Sequence, residues 1–285
     1  MSSRLRVSAI SFLNTAPLMW GFDHEELRRQ FEVHYTVPAA CAQELRAGTA
    51  DIGIIPVIAY QTIPDLAVIP GVSIAANGPV RSILLISKKP LEAIKTIAAD
   101  SSSRTSVALC RVLLRKWHDG QRVFTAMEPK LPTMLAENDA ALIIGDPALL
   151  VDRSEYICID LAEEWKKQTG KPFVFAFWAV RKAALAGPGS GRRLDLARIF
   201  QTSRDHGLLP ENVEKLAREW APRVGISEDD VKSYLTKNID YSLDAAQLEG
   251  MNLFFQYAVE TGVIPEVRPI EFLDAARGAG TALAG

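Results

Sequence analysis

Cysteine is scarce in this chain: Cys41, Cys110 and Cys158 are the only three, and no two stand in a CxxC pair. So odd and scattered a set excludes a disulfide framework and a cysteine-built zinc site, and leaves three partly buried thiols. Histidine is almost as rare. His24, His34, His118 and His206 fall in predicted surface segments, and none accompanies a serine or cysteine motif, which excludes a hydrolytic triad. No GxGxxG follows the first strand, no GxxxxGK[ST] occurs, and HExxH is absent, so nicotinamide, nucleoside-triphosphate and zincin chemistry are disfavoured. Glu163-Glu164 and Asp229-Asp230 read as solvated helix faces rather than metal loops. No apolar run reaches the roughly 18 residues of a membrane helix, so no membrane span is expected. Lys and Arg number 32 against 34 Asp and Glu, a net charge of -2, so no basic field points to nucleic acid. The opening Met-Ser-Ser-Arg-Leu-Arg has no secretory h-region, which predicts a cytoplasmic location.

What is present is an alternation of strands and helices. At roughly 100–200 residues per domain, 285 residues predict two domains. Leu5–Ile10 alternates as a strand, and a polar turn, Ser11 to Pro17, leads to a predicted helix over Leu18–Leu27. Ala39–Ala47 reads as a helix stopped by Gly48, and Asp51–Ile55 follows as a buried strand ended by Pro56. Strand, helix and strand with short loops is the pattern of a parallel sheet. A second block opens after the turn Asn77-Gly78-Pro79. It has strands at Ser82–Ser87, Thr96–Ala99, Ala140–Ile144, Tyr156–Asp160 and Phe173–Val180, with a buried helix over Val107–Leu114. Beyond Gly187-Pro188-Gly189-Ser190-Gly191 the pattern turns helical. Apolar stripes run through Leu194, Ala197 and Phe200, through Val213, Leu216 and Trp220, through Val231, Tyr234 and Leu235 after Ser227, and through Leu248, Met251 and Phe255.

Two α/β blocks joined by two extended segments and finished by helices predict a two-lobed clamshell. One lobe takes residues 1–82 and 179–285, the other residues 83–178, with crossovers at Ser82–Ser87 and Phe173–Val180. Ligands of open α/β sheets bind beyond the carboxyl ends of the strands. That rule directs Asn14, Thr15, Pro56, the loop from Ser101 to Ser106 and Asp146 to the cleft, with Ser82 at a crossover.

The loop Asp100-Ser101-Ser102-Ser103-Arg104-Thr105-Ser106 is the strongest chemical signal. A helix start offers unpaired N–H groups and a positive dipole end, Ser103, Thr105 and Ser106 add hydroxyls, and Arg104 adds a forked cation, together a receptor for carboxylate or phosphate. The same loop also fits an ordinary N-cap with an exposed arginine. Asn14 and Thr15 read either as ligand-bonding groups or as turn residues satisfying their own backbone. Asp146 reads either as an acid or anchor at the ligand or as an N-cap ahead of Pro147.

At these motifs the chain resembles a known family. Ser11-Phe12-Leu13-Asn14-Thr15-Ala16-Pro17-Leu18 is similar to a strand end reading Tyr-Leu-Asn-Thr-x-Pro-Leu. Ala47 to Ile52 with Pro56, Asn77 to Ser82, Ser101 to Leu109, Leu142 to Asp146, Glu164 to Lys166 with Thr169-Gly170, and Pro172 to Ala176 follow in the family's order. The family is chorismate dehydratase of the futalosine route to menaquinone, and the resemblance spans about residues 5–265. It implies a periplasmic-binding-protein-like fold with two crossovers, and a hydro-lyase converting chorismate to 3-[(1-carboxyvinyl)oxy]benzoate without metal or organic cofactor. In that reading Asn14 and Ser82 are catalytic, and Thr15, Pro56, Ser103, Arg104, Thr105, Ser106 and Asp146 bind the substrate. Phe12 stands where the family often has tyrosine, and Arg81 where a small residue is common. Two other functions fit the same fold. One is a cytoplasmic small-carboxylate binding or sensor protein. The other is the pathway's dihydroxynaphthoate synthase, whose signature Ser-Pro-Cys-Pro-Asn-Asp-Thr has no match here.

Overall fold

The computed structural model describes residues 4–118, 120–186 and 194–273. The opening Met1-Ser2-Ser3 and the expected break at Gly187–Gly191 lie outside the described residues. The strands form two five-stranded sheets. The first holds β1 (Leu5–Ile10), β2 (Phe31–Thr36), β3 (Ile52–Pro56) and β4 (Leu66–Ala76), with β10 (Phe173–Arg181), in the order β2-β1-β3-β10-β4. β1 pairs parallel with β2 and β3, while β10 runs antiparallel between β3 and β4. The second holds β5 (Ile83–Ser87), β6 (Thr96–Asp100), β7 (Val123–Met127), β8 (Ala140–Ile144) and β9 (Ile157–Asp160), in the order β7-β6-β8-β5-β9.

The chain therefore passes from the first sheet to the second after Ala76 and returns before Phe173, the two crossings expected of the clamshell. Two expectations are corrected. Ser82–Ser87 is not a crossover, because Ile83–Ser87 pairs with β8 on one side and β9 on the other. Phe173–Val180 is not a crossover, because it pairs with Pro56–Ile52 on one side and Ala76–Ala67 on the other. Every residue from Phe173 to Val180 is buried, as a central strand covered on both faces requires. The expected second-lobe limit at residue 178 thus moves ahead of Phe173.

Between the first strands, the predicted helix over Leu18–Leu27 is replaced by a 3-10 segment, Leu13–Met19, a single turn α1 (Trp20–Asp23) and a 3-10 turn, Leu27–Arg29. Pro17 has no N–H to give a longer α-helix, and Gly21 adds little helical preference. Helix α2 (Pro38–Ala47) matches its prediction, with Pro38 in its first turn and Gly48 at φ 74 ending it. A single turn α3 (Val57–Tyr60) follows Pro56.

In the second lobe α4 (Thr105–Trp117) is buried along Ala108, Leu109, Val112 and Leu113. α5 (Leu131–Glu137), the short α6 (Asp146–Leu149) and α7 (Leu161–Thr169) complete that half. The C-terminal helices are α8 (Leu196–Gly207), α9 (Pro210–Val224), α10 (Glu228–Ser233), which runs into a π-helical turn Tyr234–Asn238, and α11 (Ala245–Glu260). α11 lies across both halves. Its Phe254 and Tyr257 meet Trp165 of α7 edge-on, and Phe254 meets Phe173 of β10 at 4.9 Å. Trp165 donates its indole N–H to the Pro172 carbonyl, so the aromatic cluster anchors the return crossing as well as filling space. Gly250 permits this approach, because a Cβ there would run into the Pro172 carbonyl.

A single carboxylate ties the outgoing crossing to the start of α7. Asp160 is 4% exposed and caps α7, accepting from the N–H groups of Ala162 and Glu163 at 3.1 and 3.2 Å. The same side chain accepts from Val80 N–H at 3.2 Å and Arg81 N–H at 2.7 Å on the outgoing crossing. Arg81 has φ 65, in the left-handed region that suits a residue without a Cβ. Its guanidinium turns to Asp230 at 3.4 Å.

Candidate active site

The carboxyl ends of β1, β3 and β8 and the start of α4 converge between the sheets on a cavity with about 450 Å³ of free space, open solvent included. Ile10, Phe12, Ile74, Ile83, Ile144 and Phe175 make most of its wall apolar. Asn14, Pro56, Ser103, Arg104, Thr105 and Ser106, six positions singled out in the sequence, line it together. Thr15, Ser82 and Asp146 do not line it. Phe12 takes part without needing a hydroxyl, since its ring rests where a Cβ of Gly145 would be, and Gly145 has φ 69.

The polar end of the cavity is the start of α4. Arg104 occupies the N-cap position with no side-chain cap, and the first helical hydrogen bond runs from Ala108 N–H to the Arg104 carbonyl at 3.0 Å. The ordinary-cap reading of this loop therefore fails. Ser102 turns back instead, donating its N–H and hydroxyl to Asp100 at 2.8 and 2.6 Å. That leaves the leading N–H groups of a 13-residue helix without intrahelical partners, beside the buried side chains of Ser103, Thr105 and Ser106. The Arg104 guanidinium has no hydrogen-bond or ion-pair partner among the described residues. Asp100 is 1% exposed, and burial raises its pKa above the ordinary carboxylate range against the Ser102 bonds.

Behind the opposite wall lies a second polar group. Asn14 accepts from the Thr15 hydroxyl at 3.2 Å, and Thr15 is itself buried. Ser82 is fully buried. Its carbonyl accepts from Gly145 N–H at 2.8 Å, and its hydroxyl accepts from the Tyr234 hydroxyl at 2.7 Å. Burial holds the Tyr234 phenol protonated well beyond its ordinary range, with Ser82 and Asn14 acting in the opposite sense and the Asp146 charge adding to burial. Tyr234 is the residue the sequence reading missed as functional. It belongs to an apolar stripe, and only the π-helical turn shows that its hydroxyl reaches Ser82.

Asp146 is not the N-cap it resembled, because Gly145 holds that place and Asp146 begins α6. Its carboxylate accepts from Leu13 N–H at 2.9 Å, across the two lobes. Burial pushes its pKa up to about 6, only partly offset by that bond. An unfolded chain would ionise this group near about 4. Between those values the folded protein holds more protons than the unfolded one, so stability falls as pH rises through this window and stays lower above it. Asp146→Asn keeps an oxygen for Leu13 N–H and loses that penalty. In urea unfolding it should match the parent near about pH 4 and exceed it by on the order of 1–2 kcal/mol near about pH 7.5. Equal stability at both pH values would refute the assignment.

Two further hydrogen bonds hold the lobes shut: Ala39 N–H to the Ser102 carbonyl at 3.1 Å and Ile58 N–H to the Thr105 hydroxyl at 3.4 Å. Among the described residues no three His, Cys, Asp or Glu side chains gather as metal ligands, and no helix is long and apolar enough to cross a membrane. The four histidines stand beside glutamates away from the cavity, His24 with Glu219 and His206 with Glu25 most closely. Cys41 and Cys110 are buried, and burial pushes both thiols up to about 12, so neither is a ready nucleophile.

Comparison with known proteins agrees with this architecture. The chorismate dehydratase of Thermus thermophilus is 28% identical over 262 residues, covering 85% of this chain and 91% of that one. Protein AF1704 of Archaeoglobus fulgidus superposes with a TM-score of 0.72 at 15% identity, over 92% of this chain and 98% of its own. The periplasmic aliphatic sulphonate binding protein SsuA of Escherichia coli does so with 0.60 at 14% identity, over 99% and 97%. At such identities these two structures speak for the fold, which is the two-lobed α/β fold of periplasmic binding proteins. The family model described as menaquinone biosynthesis matches residues 5–260, nearly the whole described chain, and the protein belongs to that family.

Proposed function

We propose that the protein is a chorismate dehydratase, removing water from chorismate to give 3-[(1-carboxyvinyl)oxy]benzoate on the futalosine route, in the cytoplasm. The observation that carries this reading is the polarity of the cavity: an apolar slot whose polar lining is the uncapped start of α4, Arg104 and Asn14. A cyclic dicarboxylate needs donors for its charges and a dry slot for its ring, and the cavity offers both. The relative from Thermus thermophilus bears the same activity in its name.

The elimination breaks one ring C–H and one ring C–O bond. The C–H electron pair becomes the new ring double bond, the hydroxide departs, and with the released proton it forms water. Aromaticity drives the step, so the site's task is to orient and desolvate the substrate. Ser103, Arg104, Thr105, Ser106 and the α4 N–H groups hold carboxylates, and a substrate carboxylate takes the ring proton. Asn14 positions the ring and assists departure of the hydroxyl, with Thr15 orienting Asn14, Ser82 acting through Tyr234 from behind the wall, and Pro56 and Phe12 enclosing the ring. Asp146, with its raised pKa, stands one hydrogen bond behind Leu13 as a polar anchor of the closed form. Electrons and atoms balance without a redox partner, so the reaction as written asks for no cofactor.

The test is purified protein with chorismate, without added metal or cofactor, followed by chromatography and mass spectrometry. Catalytic loss of one water with retention of the enolpyruvyl ether is the expected outcome. Tight binding without turnover would replace the dehydratase with a small-carboxylate binding or sensor protein.

A further inference from the structure

A second concavity adjoins the cavity. It is a groove with about 890 Å³ of space, open to solvent, running between α3 of the first lobe and α4 of the second and bounded by residues 262–264 after α11. Ser103 and Arg104 belong to both walls, so the two spaces meet at the start of α4. The Ile58–Thr105 hydrogen bond stands at that junction, since Ile58 lines the groove and Thr105 the cavity. At 3.4 Å it is a weak bond.

Along α4 the groove wall takes positions 104, 108, 111 and 115, steps of three and four that share one helix face, and three of these are arginines. Other cations of the chain are neutralised by carboxylates. Lys116, the next residue on α4, pairs with Glu260 at 2.8 Å, and Arg6 and Arg28 pair with Asp51 and Asp23. Arg104, Arg111 and Arg115 have no carboxylate partner among the described residues. Neutral groups orient two of them: the Arg111 guanidinium lies over the Phe124 ring at 4.2 Å, and Arg115 donates to the Thr261 carbonyl. A ring face and a carbonyl fix a guanidinium without cancelling its charge. Burial, and then the neighbouring Arg115 charge, push the Arg111 guanidinium below its ordinary value, as expected where cations share a recess without an anion. In a chain of net charge -2, this is a local positive field beside the opening of an otherwise apolar cavity.

We propose that the groove is a second anion-binding site, where Arg111 and Arg115 receive a small organic carboxylate that then passes Arg104 into the cavity. Ile58, Val107 and Ile264 give its apolar body a wall. That this carboxylate is chorismate rests on the dehydratase reading, whereas the anion site does not. Two paired outcomes are expected. In arginine labelling by phenylglyoxal, read residue by residue by mass spectrometry, chorismate should slow modification of Arg111 and Arg115 several-fold along with Arg104, and inorganic phosphate should slow the first two. In turnover, the double variant Arg111→Gln/Arg115→Gln should lose about an order of magnitude in kcat/KM at low salt, with the gap closing at high salt. Protection of Arg104 alone, or an unchanged salt dependence in the double variant, overturns the proposal. If chorismate is neither turned over nor protective, the substrate reading fails, and the phosphate arm still decides the groove: protection of Arg111 and Arg115 supports it, and no protection overturns it.

Discussion

Asn14→Ala and Ser82→Ala should each lower chorismate turnover by about two to four orders of magnitude, with the fold intact by circular dichroism. Asn14 is the polar group of the cavity wall opposite α4, and alanine leaves the ring without its donor and acceptor there. Ser82 acts from behind that wall, and its hydroxyl is held by Tyr234 at 2.7 Å. Because Ser82→Ala also strands a buried phenol, Tyr234→Phe separates the two effects. It removes the partner, spares the serine, and should slow kcat by about tenfold with KM little changed. Near-normal turnover in both alanine variants would remove Asn14 and Ser82 from the chemistry.

Asp160→Ala should cost about 3–5 kcal/mol of stability, the largest loss expected from a single polar side chain in this protein. It takes the acceptor from four N–H groups at once, two on the outgoing crossing and two at the start of α7. Asparagine is a partial substitute on geometric grounds. Val80, Ala162 and Glu163 all bond Oδ1, which an amide oxygen can replace, but Arg81 N–H bonds Oδ2 and would face an NH₂ group. Urea unfolding should therefore order the proteins parent, Asp160→Asn, Asp160→Ala. A loss below about 1 kcal/mol for the alanine variant would contradict the idea that one carboxylate holds the outgoing crossing to α7.

Many of the central strands were legible because they are continuous apolar runs between turn residues, as in Ile52–Pro56 and Ala140–Ile144. The strands that escaped had physical reasons to do so. Phe31–Thr36 and Val123–Met127 are edge strands with exposed polar or small residues, so their periodicity is weak. Leu66–Ala76 contains Pro70-Gly71, which reads as a loop. The structure absorbs that pair as a bulge where pairing with β10 jumps from Val68 to Ser73. The lining of the cavity was legible where it depends on strand ends and a helix start, at Asn14, Pro56 and Ser103–Ser106. The site was not legible at Tyr234, some 150 residues from the serine it bonds, because no local pattern announces so distant a contact. The burial of Ser82 and Asp146 behind the wall, likewise, is a property of three-dimensional packing.

The insertion of β10 between β3 and β4 bears on the order in which the protein is completed during synthesis. The second sheet is contiguous from Ile83 to Asp160, so a nascent chain has all five of its strands before the first sheet is whole. Until residues 173–181 leave the ribosome, β3 and β4 have exposed edges where their shared neighbour belongs, and β4 offers an 11-residue apolar strand to any other chain nearby. The half of the protein that starts first is thus finished last, and the interval between Ala76 and Phe173 is its period of greatest exposure to misassociation.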